Sequence, residues 1–483
     1  MSTAIWWIRR DLRLQDNAAL AAAMQAAEQI MPLFIIDPFF DRSVNVGERR
    51  RSFLWAGLKA LDDSLRQRGG RLIVRRGEPD VVLARLVAEF GVTAVFAEAD
   101  ITPTARRRDE KVAKAVPLHL QPGITVQHVD DVLKADGTPY TVFTSYMRRW
   151  KESGLPHHSS LLPTPVHIQT PAAVLSDKLP DILHPSTQFP AGEAEALCRL
   201  AAFAEGADAP VFRYAAARNM PGVDGTAQLS PYLRFGMVSA RQAAVTAVSA
   251  MANAQTKEGR DGAETWLNEL IWREFYQMIL YHFPHVARRS FRPEYDRIEW
   301  QNDADAFAAW CNGRTGFPIV DAGMRQLLQT GWMHNRVRMI AASFLVKDLL
   351  VDWRWGERWF MQHLIDGDVA ANNGGWQWSA GTGTDAAPYF RIFNPITQSK
   401  KFDPNGDYIC AWVPELTVLP EKCVHDPSLL PPVLQQQYAF YPGGNYPVPI
   451  VDRKMSRRRA LDAYKAARAG GTGRLPHSTA IKC

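Results

Sequence analysis

Hydrophobic positions near the N-terminus fall in short runs, "AIWWI", "IMPLFII", "RLIVR", "VTAVFAE" and "ITVQHV". Segments with helical spacing, such as "RRSFLWAGLKALDDSLRQRGG" and "EPDVVLARLVAEFG", separate them. Continuous apolar runs mark strands buried on both faces, and their alternation with helices predicts a parallel sheet covered on each side. A doubly wound α/β domain is expected over residues 1–132. No GxGxxG follows its first run, so any ligand there is held without the dinucleotide fingerprint. The chain then turns Pro-rich and aperiodic, "LLPTPVHIQTPAAVLSDKLPDILHPSTQFP", inside a linker expected over 133–195. Beyond it, "AETWLNELIWREFYQMILYHF" and "GMRQLLQTGWMHNRVRMIAASFLVKDLL" repeat apolar residues at helical steps, so 196–483 reads as all-α. The tail "RKMSRRRALDAYKAARAGG" reads as a solvated amphipathic helix.

Composition narrows this picture in three ways. The 5 cysteines lack CxxC spacing, which points away from a disulfide framework or a structural zinc and toward a reducing, cytoplasmic setting. Charges interrupt the N-terminal apolar run and no later run reaches the length of a membrane span, so a soluble protein is expected. The net charge of +6 favours an anionic partner. The 15 tryptophans lie mostly in the second half, from Trp266 and Trp310 to Trp412, more indoles than packing usually needs.

Candidate chemistry gathers in the same half. Helical steps of three and four put Glu269, Trp272, Arg273 and Tyr276 on one broad face. That face suits either a Glu269–Arg273 ion pair beside core aromatics or a wall that stacks a flat ligand. In "GWMHNRVRM", Arg336 and Arg338 diverge, and Arg338 inside an apolar helix needs a carboxylate. "LIDGDVAANNGGW" offers Asp366 and Asp368 for it. His334 has no second ligand at metal spacing, and the acidic loop lacks a further cluster, so no metal is expected. "DGTAQLSPYLRFG" puts Thr226 and Ser230 at a helix start suited to phosphate oxygens. "NNGGWQWSAGTGTD" brings Trp376 and Trp378 together without His or Cys, which leaves stacking, packing or electron transfer as their chemistry.

These motifs, with "WWIRRDLRLQDNAAL", "ASFLVKDLLVDWRWGERWFMQHLIDGDVAANNGGWQW" and "GTDAAPYFRIFNP", resemble the photolyase/cryptochrome family and within it the class I cyclobutane pyrimidine dimer photolyases. The resemblance runs nearly end to end. It implies an α/β domain followed by a helical domain that binds FAD. The implied cofactor set is Tyr214, Thr226, Ala227, Gln228, Leu229, Ser230, Trp266, Arg273, Asn335, Arg338, Asp366, Gly367, Asp368 and Asn372, with Arg338 paired to Asp366 and Asn372 near the flavin N5. Ala227 stands where the family often has Ser. The substrate implied is a pyrimidine dimer flipped out of UV-damaged DNA, a mechanistic class in which photolyases are a standard example. Glu269, Trp272, Met339, Trp378 and Asn372 would act on it. Arg218, Glu269, Trp272, Arg273, Tyr276, Asn335, Arg336, Trp378 and Gln398 would contact it or the surrounding DNA, through phosphate and stacking. Reduced FAD would donate an electron under blue light and recover it after ring splitting. Trp376, Trp353 and Trp300 would form a chain that reduces the oxidised cofactor.

One position departs from the family pattern. Folate-antenna members carry an Asn-Glu pair where this chain has Thr104-Ala105, which weakens the case for folate as second chromophore and sets a deazaflavin, another flavin or no antenna beside it. A monomer without an obligate protein partner is expected. Rival readings are a signalling cryptochrome, a (6-4) photolyase and a flavin electron carrier. Asn372, Asn335 with Met339, and the Glu269 wall respectively argue against them.

Overall fold

A computed structural model of the chain describes residues 2–469 except 39, 41, 42, 44 and 45. Five parallel strands, β1 (Thr3–Ile8), β2 (Gln29–Ile36), β3 (Ile73–Arg76), β4 (Ala94–Glu98) and β5 (Leu118–Gln121), form one sheet in the order β3-β2-β1-β4-β5. The helices Ala18–Ala26, Glu48–Arg66, Pro79–Phe90 and Pro103–Ala113 connect them. β1 is central and buried at every position, which is why its sequence is an unbroken apolar run. The strand order reverses between β1 and β4, so the carboxyl ends of these two strands open the crevice where such sheets place ligands. Helical residues close over that crevice, Gly236, Val238 and Arg273 lining a small cavity together with Arg10, Arg13 and Glu98, and Arg13 donates to Gly236 O at 3.1 Å.

The fifth strand is not where periodicity put it. The paired segment is "LHLQ", while "ITVQHV" runs as irregular backbone. Its apolar residues still bury, Ile124 to 7% and Val129 to 3% exposure, because they pack on the long helix Lys257–His282. The Glu274 carboxylate takes the amides of Val126 and Gln127, so no strand partner is needed.

The connecting stretch also carries structure. The helix Phe143–Glu152 buries Phe143, Tyr146 and Trp150, and the indole N–H of Trp150 donates to Glu274 at 2.7 Å. After residue 192 the described chain is helical apart from an isolated bridge between Pro442 and Tyr446. A single apolar core runs from Trp6 and Phe53 in the sheet half through Phe275 and Ile365, so the halves share an interior. A second core around Trp310, Trp353 and Trp376 lies wholly in the helical half. The last helix, Arg453–Ala469, is docked on one face: Arg453 pairs with buried Asp348 at 3.2 Å and Tyr464 donates to Ala380 O at 2.6 Å. No described helix is long and apolar enough to cross a membrane.

Candidate active site

The site is built on a tight turn between two helices, Trp353–His363 and Val369–Ala380. Asp366 in this turn accepts from Arg338 at 2.8 and 3.3 Å and from the Ser230 hydroxyl at 2.6 Å. The indole N–H of Trp332 donates to Ser230 in turn, at 3.3 Å. Ser230 opens the short helix Ser230–Phe235, as its sequence context suggested. Gln228, two residues before, holds a left-handed φ of 46°, a conformation non-glycine residues seldom adopt, and Leu229 is buried beside it.

Asp368 caps the following helix, its Oδ1 accepting from the amides of Ala370 and Ala371 at 3.0 and 3.1 Å. Its other oxygen accepts from Arg10 of the sheet half at 2.6 Å, with Arg234 at 3.9 Å. Burial alone would raise this carboxyl, yet Arg10, Arg234 and Arg273 hold it well below the usual carboxylate range. Gly367 permits this closeness, since a Cβ there would lie 1.9 Å from Arg50 Nη1. Its carbonyl accepts from Arg50 at 3.1 Å and Arg234 at 2.8 Å.

One turn along the same helix, Asn372 donates from Nδ2 to the backbone oxygen of Glu357 at 3.0 Å and to its carboxylate at 3.2 Å. Glu357 was not anticipated from the sequence. Burial pushes its carboxyl up to about 6 against the pull of the Asn372 bond. With both Nδ2 bonds directed at Glu357, the Asn372 carbonyl oxygen is the group left to face a ligand. Trp376 is 2% exposed and Trp378, two residues on, is half-buried, so the two indoles serve different surroundings. Trp376 packs edge-on against Phe360 at 5.0 Å and Trp310 at 6.1 Å. Trp353 is fully buried and half-buried Trp300 meets Tyr464 at 6.2 Å; no ring contact joins Trp300, Trp353 and Trp376 to one another among the described residues.

The long helix Lys257–His282 crosses Val369–Ala380 where a Cβ on Gly374 would meet the Tyr276 ring at 2.2 Å. On it, Glu269 pairs with Arg218 at 2.7 Å rather than with Arg273. Burial raises the Glu269 carboxyl and Arg218 draws it back. Trp272 stacks on Phe143 at 3.7 Å and 9° and touches Tyr276 at 5.5 Å. Arg273 turns the other way and donates to Ile124 O at 2.8 Å. The expected single face is thus divided: Glu269, Trp272 and Tyr276 stay together and Arg273 braces the sheet half. Tyr214 is buried against Phe203, with the Arg218 guanidinium 5.7 Å above its ring, and Trp266 packs on Phe203 from another side at 5.0 Å.

At the start of the helix Asn335–Ser343, Asn335 is exposed, while Arg336 donates to Asn219 at 2.7 Å and lies 4.4 Å over Phe402. Met339 and Gln398 are half-buried, as are Thr226 and Ala227. His334 accepts from the Arg336 amide at 3.1 Å through Nδ1, and its buried Nε2 has no partner among the described residues. Two features accommodate a large flat cofactor. Gly375 on the Asn372 helix faces open space, with no atom within 4 Å of a Cβ built there. Ser230, itself exposed, is hydrogen-bonded to the buried side chains of Asp366 and Trp332. No group of His, Cys, Asp or Glu suited to a metal occurs among the described residues.

The family model for DNA photolyase matches residues 4–167, and that for the FAD binding domain of DNA photolyase matches 266–466. A deoxyribodipyrimidine photo-lyase of Synechococcus sp. is 39% identical over 487 residues, covering 96% of this chain and 97% of its own length. The chain belongs to the DNA photolyase family. Among solved structures of the family, a class III photolyase from Agrobacterium tumefaciens superposes with a TM-score of 0.90 at 35% identity, covering 97% of this chain and 98% of that one. An archaeal photolyase from Sulfolobus tokodaii, with two FAD molecules, superposes with a TM-score of 0.80 at 34% identity over 96% of this chain and 100% of that one. Photolyase membership gives the helical half its cofactor, FAD. It also leaves room for a second chromophore. Thr104 and Ala105 sit in the first turn of Pro103–Ala113, where the next residue, Arg106, lies 4.3 Å over Tyr281.

Proposed function

We propose that the chain repairs cyclobutane pyrimidine dimers in UV-damaged DNA, using the helical half, 196–483, as catalytic domain and 1–132 with the linker 133–195 as its support. The observation that carries this reading is the crossing of two helices at Gly374, which sets Glu269, Trp272 and Tyr276 beside the helix bearing Asn372, Trp376 and Trp378. Ser230, Arg338, Asp366 and Asn372 would hold FAD, with Tyr214, Thr226 to Leu229, Trp266 and Asn335 around it. When bound, reduced FAD supplies an electron under blue light and takes it back once the cyclobutane ring has split.

The chain's own residues do the rest. Trp272, fixed by its stack on Phe143, and Trp378 give a flipped dimer flat walls, with Met339 packed against it; a dimer pairs and stacks poorly, so extrusion is cheap. Glu269, held by Arg218, hydrogen-bonds the pyrimidine edge. Glu357 occupies the Asn372 amide nitrogen, so the carbonyl oxygen is the group Asn372 would offer to FAD. Arg218 and Arg336 border the lesion wall beside Glu269, and with Gln398 they would contact the surrounding DNA, so affinity should fall with salt.

Purified protein under blue light with reductant should remove dimers from irradiated DNA. Glu269→Ala should cut the repair yield about tenfold or more, the scale of a lost charged hydrogen bond. Tight binding of damaged DNA without any dimer loss would overturn the reading.

A further inference from the structure

The expected indole route ends at Trp300, whose surroundings differ from the lesion wall. Trp300 meets Tyr464 at 6.2 Å, and Tyr464 lies parallel to Tyr389 at 6.0 Å. Arg468 sits 5.5 Å over the ring of Tyr389. Arg297, three residues before Trp300, donates to Ala467 O at 2.8 and 3.2 Å, which brings it next to Arg468. Arg354 lies 4.9 Å over Trp353 and donates to Arg288 O at 2.9 Å, tying a third basic segment to the same place. Arg288, Arg289, Arg292, Arg297, Lys465 and Arg468 are all exposed and have no carboxylate in ion-pair reach among the described residues. The nearby acids are mostly engaged: Asp296 and Asp352 both pair with Arg354, and Asp462 with Arg458, leaving Glu294 and Glu299. A cationic surface thus frames a redox-capable aromatic cluster, and none of its residues belongs to the set expected to touch DNA.

We propose that this surface docks an acidic one-electron carrier protein that delivers electrons to Trp300. The proposal rests on the indole route, Trp376, Trp353 and Trp300, that the family resemblance implies. When light-driven oxidation of the indole series leaves Trp300 one electron short, the reduced carrier loses one electron and the indole cation gains it. No bond forms and no proton moves. A phosphate backbone would use the same cations but would have no need of aromatic rings directly beneath them, which favours a redox protein over nucleic acid. Electron-transfer encounters are small, transient and steered by charge, so opposed potentials suffice without a large apolar contact.

Cytochrome b5, an acidic haem protein that carries one electron, is a suitable probe, with a basic cytochrome c as control. After a laser flash on the holoenzyme, decay of the indole radical should accelerate in proportion to reduced cytochrome b5. That rate should fall about tenfold between low and physiological salt, and should be far slower with cytochrome c. The triple variant Arg289→Glu, Arg292→Glu, Arg468→Glu should be about tenfold slower at low salt. It should match the parent with a small thiol donor and in repair by pre-reduced enzyme; the corresponding Gln variant should lie between. In the dark, a titration of oxidised cytochrome b5 should show salt-sensitive binding that the Glu variant loses. Rates insensitive to salt and to charge reversal would overturn the proposal, as would equal rates with cytochrome c. Loss of duplex DNA affinity in the variant, with cytochrome b5 binding intact, would assign the surface to nucleic acid instead. If Trp300→Phe leaves thiol-supported photoreduction unchanged, the indole route itself fails, whereas the dark titration still decides the docking.

Discussion

Glu357 shows how much of a site's behaviour can rest on a residue that no motif advertises. It holds the Asn372 side-chain amide and is itself half-buried, with its carboxyl raised from 4.5 to about 6. Because the folded value exceeds the unfolded one, the folded protein binds more protons across that interval. The stability contribution is therefore complete below about pH 4.5 and is lost as pH rises through about 6. Glu357→Gln should remove that slope, worth about 2 kcal/mol over the window, in denaturant titrations of both proteins across pH 4 to 8. An unchanged pH profile would place the titrating group elsewhere. The residues that were legible beforehand share a property: Arg338 is a charge in an apolar helix and had to find a carboxylate, which Asp366 supplies. Glu357 sits among the polar residues of an amphipathic helix, where burial leaves no mark in one sequence.

At the scale of elements, the helix pair around the turn depends on close approach. A Cβ on Gly356 would stand 2.1 Å from the Trp376 ring and 2.6 Å from Leu345, so the helices Trp353–His363 and Val369–Ala380 meet only because that position is glycine. Gly356→Ala should destabilise the protein by about 1–3 kcal/mol and shift the Trp376 indole. Urea unfolding and tryptophan fluorescence should register both effects; wild-type stability with an unaltered spectrum would mean the ring yields at no cost. Four of the five expected strands were readable because burial on both faces writes an unbroken apolar run. The segment "ITVQHV" carries the same signature for another reason, since a loop pressed under a helix buries as much as a strand does. Periodicity reports burial, and only the Glu274 carboxylate taking its amides distinguishes the two cases. The helical face of Glu269 to Tyr276 was likewise visible as spacing, while the departure of Arg273 toward Ile124 needed the position of the sheet half.

Across the whole molecule, the two halves are joined beside the groups proposed to hold FAD. Leu12 donates to Phe235 O at 3.1 Å, Arg13 to Gly236 O at 3.1 Å, and Arg10 reaches Asp368 at 2.6 Å. Gly236 allows this seam, because a Cβ there would fall 1.9 Å from the Arg10 carbonyl. The motif "WWIRRDLRLQDN" was legible as a family mark; its task of pairing across the molecule was not, since sequence separation hides which carboxylate an arginine meets. Arg10→Ala removes the nearest cation of Asp368 and leaves it the two capping amides and Arg234 at 3.9 Å. The cost should therefore fall at the low end of about 3–5 kcal/mol, seen as a lower melting temperature and earlier flavin release. The double variant with Asp368→Asn should recover part of the loss, as expected when both members of a buried pair go. A chain assembled from its N-terminus has the sheet, and with it Arg10, before the turn that needs that guanidinium exists. The helical half synthesised by itself should leave the ribosome unable to settle Asp368, and should purify colourless, regaining its yellow tint only when the missing fragment is supplied in trans.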